Sequence, residues 1–327
     1  MKKLLKVLLS FGFTLGITGA PLHLGAQTVN NFPSKPISIY VPFGPGSGSD
    51  VFARYFGEKL SEKIGEPVVV ENKPGAGGAI AMNALRSAAA DGHTILLGSN
   101  SPMAANVSVF KELPFDPVED TIPISGLSRS MAVIAVPKSS EINNLDDLIA
   151  AAKQGPGLNT GTYSPGYELA AAPFLDQAEI SWQIIPYKGL AQTTTDLMGN
   201  QIDVAVIDTP GTVDTIRSGQ IRAIAVTGDD RHPELPEVPT LEESGYKDAI
   251  HYSWTAFWVH SDTPPEIVET LSETMLDILA QPESKEFVSK SSAEIMPYNS
   301  DEMREFQLNE IERFATAVDT LGFEQIE

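Results

Sequence analysis

Cysteine is absent from the 327 residues. That removes disulfides, thiolate metal sites and lipid-modified cysteine. Basic residues are scarce, with 22 Lys and Arg against 43 Asp and Glu, a formal net charge of -21. Such a surplus argues against nucleic acid and anionic membrane as partners. It leaves room for a small anion held locally by backbone N–H groups. Histidine is sparse too, and His23, His93, His232, His251 and His260 make no His-Glu-x-x-His pair, so neither metal nor cofactor is expected. Nucleotide signatures are missing. No glycine loop ends in Gly-Lys-Ser/Thr, and Gly-x-Gly-x-x-Gly fails at Ser49 after Gly44 and Gly46, and at Val51 after Gly46 and Gly48. No Gly-x-Ser-x-Gly nucleophile elbow is present. An enzyme acting on a small anion therefore ranks last among the readings.

Long apolar runs are also missing. The run from Leu8 to Ile17 follows Lys2, Lys3 and Lys6 and is shorter than the roughly 20 residues of a membrane span. With Leu24-Gly25-Ala26 after it, it reads as a secretory signal over residues 1–26, cleaved before Gln27. The expected location is the periplasm.

What the chain does carry is a loop of unusual composition, Pro42-Phe43-Gly44-Pro45-Gly46-Ser47-Gly48-Ser49-Asp50. It lies between a strand pattern, Ile37–Val41, and a helical pattern opening at Val51. Backbone N–H groups of such a turn, together with a helix N-terminus, form a site for an anion. Strands then alternate with helices: Val68–Val70, a helix from Gly78 to Ala89, and Thr94–Leu97. This β-α-β-α-β opening predicts a parallel sheet covered by helices. A second unit starts near residue 126, with strands at Ala132–Val136, Trp182–Ile185, Val204–Ile207 and Ile221–Val226. Helices after Pro264, Pro282 and Asp301 close the chain. The length fits about two domains, and the residues alone suggest that they are sequential.

VPFGPGSGSDVFAR (41–54), VVVENKPGAGG (68–78), DGHTILLGS (91–99), LPFDPVED (113–120), PYKG (186–189), IRAIAVT (221–227) and LPEVPTLEESG (235–245) occur in this order. Taken together, they resemble the periplasmic solute-binding proteins of tripartite tricarboxylate transporters, the TctC or Bug family. The resemblance implies an α/β, two-lobed periplasmic binding protein, a type II-like Venus flytrap with its ligand cleft between the lobes. It also implies a discontinuous first lobe, residues 27–125 and 227–327, and a second lobe of residues 126–226. A monomer that captures a small carboxylate (di- or tricarboxylate, or aromatic acid) and delivers it to membrane transporter subunits follows from it. The alternative is a binder or sensor of an amino acid or other monocarboxylate.

The resemblance also directs attention to particular residues. In the first loop, Phe43, Gly46, Ser47, Gly48 and Ser49 are candidates, with Asp50 better suited to capping the helix than to touching an anion. Ser99 and Ser101, beside Asn100, follow a strand end, the crevice side of an open sheet. The facing lobe offers Thr160, Thr162, Tyr163 and Ser164. That stretch, TGTYSPGYELA, is shorter than the family pattern and has Glu168 where a histidine often stands. Lys188 would neutralise a second carboxylate. Asp208, at a strand end, would accept from a ligand amine or hydroxyl or from a bridging water. Trp254 is expected at the cleft edge or in a buried packing role.

Overall fold

The computed structural model describes residues 32–155 and 157–326, and the expected signal at 1–26 lies outside them. Ten strands make one continuous sheet: β1 (Ile37–Val41), β2 (Val68–Asn72), β3 (Thr94–Ser99), β4 (Thr121–Pro137), β5 (Leu158–Thr162), β6 (Trp182–Pro186), β7 (Val204–Asp208), β8 (Ile221–Val226), β9 (Tyr252–His260) and β10 (Glu294–Ile295). The order is β2-β1-β3-β9-β4-β7-β5-β6, with β8 and β10 also on β4. The expected parallel opening is present, since β1 pairs parallel with both β2 and β3.

The 17-residue β4 organises the molecule. From Thr121 to Met131 it runs antiparallel to β9. From Ala132 onward it pairs with β7 and β8 instead. Only Ala132–Val136 is expected as strand from the residues, because Pro123, Gly126 and the serines around them read as loop. The structure accommodates them by slipping register against β9 between Pro123 and Ser125, and between Gly126 and Ser128.

Each half of the sheet has its own core, which makes the fold two-lobed. One face of the β1-β3-β9 half packs Ile37, Ile39 and Val41 against Phe52, Phe56 and Leu60 of the helix Gly48–Ile64 and against Leu271 and Met275 of the helix Pro265–Ala280. Its other face buries Leu96, Trp254 and Trp258 with Met82 and with Phe314 of the C-terminal helix Ser300–Leu321. That last helix starts on a capping box, Asn299 with Glu302. The second core gathers Ala132–Val136 and Val204–Ile207 with Leu148, Phe174 and Leu197. Leu235, Val238, Leu241 and Ala249 join it, so the segment after β8 packs on the second core rather than returning at residue 227.

Candidate functional site

The glycine-serine loop is built as an anchored helix start. Ser47 is the N-cap of Gly48–Ile64; its Oγ accepts from the Asp50 N–H (3.3 Å) and donates to the Gly44 carbonyl (3.0 Å). Gly46 turns the chain at φ 83, the left-handed region that favours glycine. Asp50 is buried and accepts from the Gly46 N–H (3.0 Å), Asn72 Nδ2 (2.9 Å) and Arg54 (2.9 Å). Burial alone would raise its pKa, yet the donors Arg54, Gly46 and Asn72 together hold it below the usual value. Gly46, expected to touch the ligand, and Asp50, expected to cap the helix, thus brace the loop instead and do not line the cavity beside it, the cap being Ser47.

That cavity, about 20 Å³, is lined on one side by Phe43, Ser47, Gly48, Ser49, Ser99 and Asn100, and on the other by Tyr163, Ser164, Tyr167 and Asp208. Its floor is polar. Ser128 and Ser130 on β4 stand opposite Thr255 and Ser253 on β9, and Ser128 and Thr255 share a hydrogen bond of 2.9 Å. Tyr167 Oη donates to Ser253 Oγ (3.1 Å), which donates to Asn100 Oδ1 (3.3 Å). The relay fixes the amide so that its NH2 is the unpaired end. Among the described residues, Ser99 Oγ, Asn100 Nδ2 and Ser164 Oγ are buried with no hydrogen-bond partner. A buried polar group left that way costs about 1–3 kcal/mol.

Among the described residues, Asp208 is the one ionisable acid in the lining, where no Lys, Arg or His appears. Tyr163 Oη donates to its Oδ1 (2.7 Å), and the neighbouring backbone of Asp208 and Gly48 also favours its charged form. Burial raises its pKa. Burial and the nearby Asp208 hold Tyr163 far above the usual phenol value, so it stays a neutral donor.

A larger cleft of about 580 Å³ adjoins this cavity. Phe43 and Tyr163 line both, their rings edge-on at 6.2 Å and 88°. The cleft is walled by the loop Gly75-Ala76-Gly77-Gly78, by Ser101, and by Tyr187 and Lys188, the one cation of its lining. Ser101 Oγ is engaged, accepting from the Gly166 N–H at 3.0 Å.

The remaining expected positions fall elsewhere. Thr160 and Thr162 are buried on β5 but line neither space, and Thr160 Oγ1 donates to the Leu158 carbonyl (3.3 Å). Trp254 turns away from the cleft. Strand side chains alternate between faces, so Ser253 and Thr255 face the cavity while the Trp254 indole packs edge-on against Phe306 and donates to Glu310 Oε2 (2.9 Å). Residues the sequence reading passed over are Phe52, Ser128, Ser130, Tyr167, Ser253 and Thr255. The period-two spacing of Ser128 with Ser130 and of Ser253 with Thr255 was the available signal.

Comparison with known proteins was informative. The model of the family described as "Tripartite tricarboxylate transporter family receptor" matches residues 52–323. The chain is 32% identical over 326 residues to Protein BugT of Bordetella pertussis, covering 98% of each. Among solved structures, it superposes on an R. palustris protein with adipate at TM-score 0.86 and 28% identity, covering 90% of this chain and 100% of that one. It superposes on the periplasmic binding protein BugD at TM-score 0.84 and 29% identity, again covering 90% of this chain and 100% of the other.

Proposed function

The chain belongs to the tripartite tricarboxylate transporter receptor family, and from that premise we propose how this member holds its ligand. It is a periplasmic solute-binding protein rather than an enzyme, and it serves a transporter of the tripartite type. In our reading one carboxylate of a small organic acid enters the deep cavity. It accepts there from Ser99 Oγ, Asn100 Nδ2 and Ser164 Oγ, with Ser49 beside them in the first turn of Gly48–Ile64. The observation that carries this is the set of three buried donors without partners at the N-terminus of a 17-residue helix. Acceptor oxygens satisfy all of them, and the helix end favours negative charge.

The body of the acid would lie past Phe43 and Tyr163 in the larger cleft, where Lys188 faces a second charge. The adipate in the R. palustris relative fits a chain of that kind. We place the lobe boundaries at the partner switch of β4 and at the start of β9, because residues 235–249 pack on the second core. The protein acts as a monomer without nucleic acid, and it presents its closed form to the transporter's membrane subunits. Closure is driven by the ligand's higher affinity for that form.

A thermal-shift panel of citrate, C4–C6 dicarboxylates, aromatic acids and acidic amino acids, followed by calorimetry on the hits, tests the reading. At least one acid should raise the melting temperature. If none does, the carboxylate assignment fails.

A further inference from the structure

We propose that Asp208 selects acids carrying a hydrogen-bond donor, a hydroxyl or an ammonium, on the carbon next to the bound carboxylate. This rests on the reading that the ligand places a carboxylate in the deep cavity.

The argument begins with an imbalance. Ser49, Ser99, Asn100 and Ser164 offer donors, while Asp208 offers only acceptors, and all line one space of about 20 Å³. Asp208 is 2% exposed. A carboxylate has about four lone-pair sites. One of those of Asp208 takes the Tyr163 hydroxyl. The titratable groups around it are the tyrosines Tyr163 and Tyr167, both held neutral by burial. Arg54 is committed to Asp50 on the far side of the loop. Nothing of opposite charge in the lining offsets Asp208.

A second carboxylate about 5 Å away would be repelled by roughly 3 kcal/mol at an effective dielectric of about 20. A donor between the two acids removes that cost, and an ammonium also supplies the missing charge. Asp208 and the free donors line the same space, so the donor belongs beside the carboxylate.

Calorimetry with two matched series tests this: succinate, malate and aspartate, then propionate, lactate and alanine. The donor-bearing member of at least one series should bind about tenfold or more tighter than its plain counterpart. Comparing the hydroxy with the amino acid shows which donor is used. In Asp208→Asn, which keeps the shape and removes the charge, the preference for an ammonium should fall about tenfold or more. In Tyr163→Phe, which keeps the charge, the preference should persist.

Equal or tighter binding of the plain acids by the unaltered protein overturns the proposal. So does a preference for an ammonium that survives Asp208→Asn, or plain acids that bind best at pH 5 and weaken toward pH 8, the mark of a proton on Asp208. If Asp208→Asn does not fold, the series on the unaltered protein decides. If no acid of any kind binds, the carboxylate reading falls and takes this one with it. Binding without donor preference removes this proposal alone.

Discussion

Gly48 and Asp208 stand against one another across the site, and Gly48→Ala probes that contact. A β-carbon on residue 48 would lie 2.7 Å from Asp208 Oδ2 and 3.7 Å from Pro210 Cβ. The first distance is well inside van der Waals contact. Asp208 has little freedom to retreat, because Tyr163 Oη holds its other oxygen at 2.7 Å. Closure in the variant therefore sacrifices at least one hydrogen bond to a charged group, worth about 1.5–3 kcal/mol. That corresponds to roughly 10- to 150-fold in affinity. Open molecules escape the clash, and alanine in place of glycine in a helix adds up to about 1 kcal/mol of stability. The ligand-free melting temperature should thus hold or rise slightly while the response to ligand shrinks. At a concentration about 100 times the Kd, ligand stabilises the unaltered protein by about 2.7 kcal/mol, roughly 4 °C for a chain of this size. A hundredfold weaker variant at the same concentration keeps only about 0.4 kcal/mol, a shift of roughly 1 °C. Calorimetry with the best acid of the panel gives the Kd directly. An unchanged Kd in Gly48→Ala would refute the reasoning, since it would mean that binding does not bring residue 48 against Asp208.

Three further outcomes are expected. Ser99→Ala with Ser164→Ala should fold normally, melt at or above the parent temperature without ligand, and bind the acid about tenfold or more weakly; unaltered calorimetry would show these hydroxyls to be bystanders. Trp254→Phe should lower stability by about 1–3 kcal/mol through loss of the bond to buried Glu310. Its Kd per folded molecule should stay within error, and a shifted Kd would return Trp254 to the cleft. Burial pushes Glu168 up to about 7 from 4.5. Its folded form holds the proton more tightly, so its stabilising contribution is whole below pH 4.5 and is lost as pH rises through 7. Glu168→Gln should flatten that loss, leaving denaturation midpoints of variant and parent alike at pH 4 and the variant ahead by about 1–3 kcal/mol at pH 8; parallel curves would show Glu168 to be solvated.

Much of the fold was legible because its signals are local. The cap expected at Asp50 falls to Ser47, but the β-α-β-α-β opening and the final helix with Met303, Phe306 and Phe314 follow from spacing and turn chemistry. The first half of β4 did not, because Pro123, Gly126 and the serines carry loop propensities that pairing with β9 overrides. The site divides in the same way. The donor side was visible as one glycine-serine loop and one strand end. Trp254 was left between cleft edge and core because residue type alone does not give strand phase. The partition of Ser253, Trp254 and Thr255 between faces is set by the register with Arg129 and its neighbours, which no single segment contains. The bracing of Asp50 by Asn72, 22 residues away, is likewise a tertiary fact.

The place of β9 in the sheet bears on how the chain matures. It is inserted between β3 and β4, so residues 94–99 and 121–131 gain their shared neighbour only when residues 252–260 are available. An emerging chain can assemble β1 to β3 early, but the first lobe's sheet stays split until more than three quarters of the polypeptide has been delivered. Such late, long-range pairing slows folding and leaves strand edges uncovered. The ligand cavity, whose floor is half β9, therefore forms only once residues 252–260 have joined the sheet.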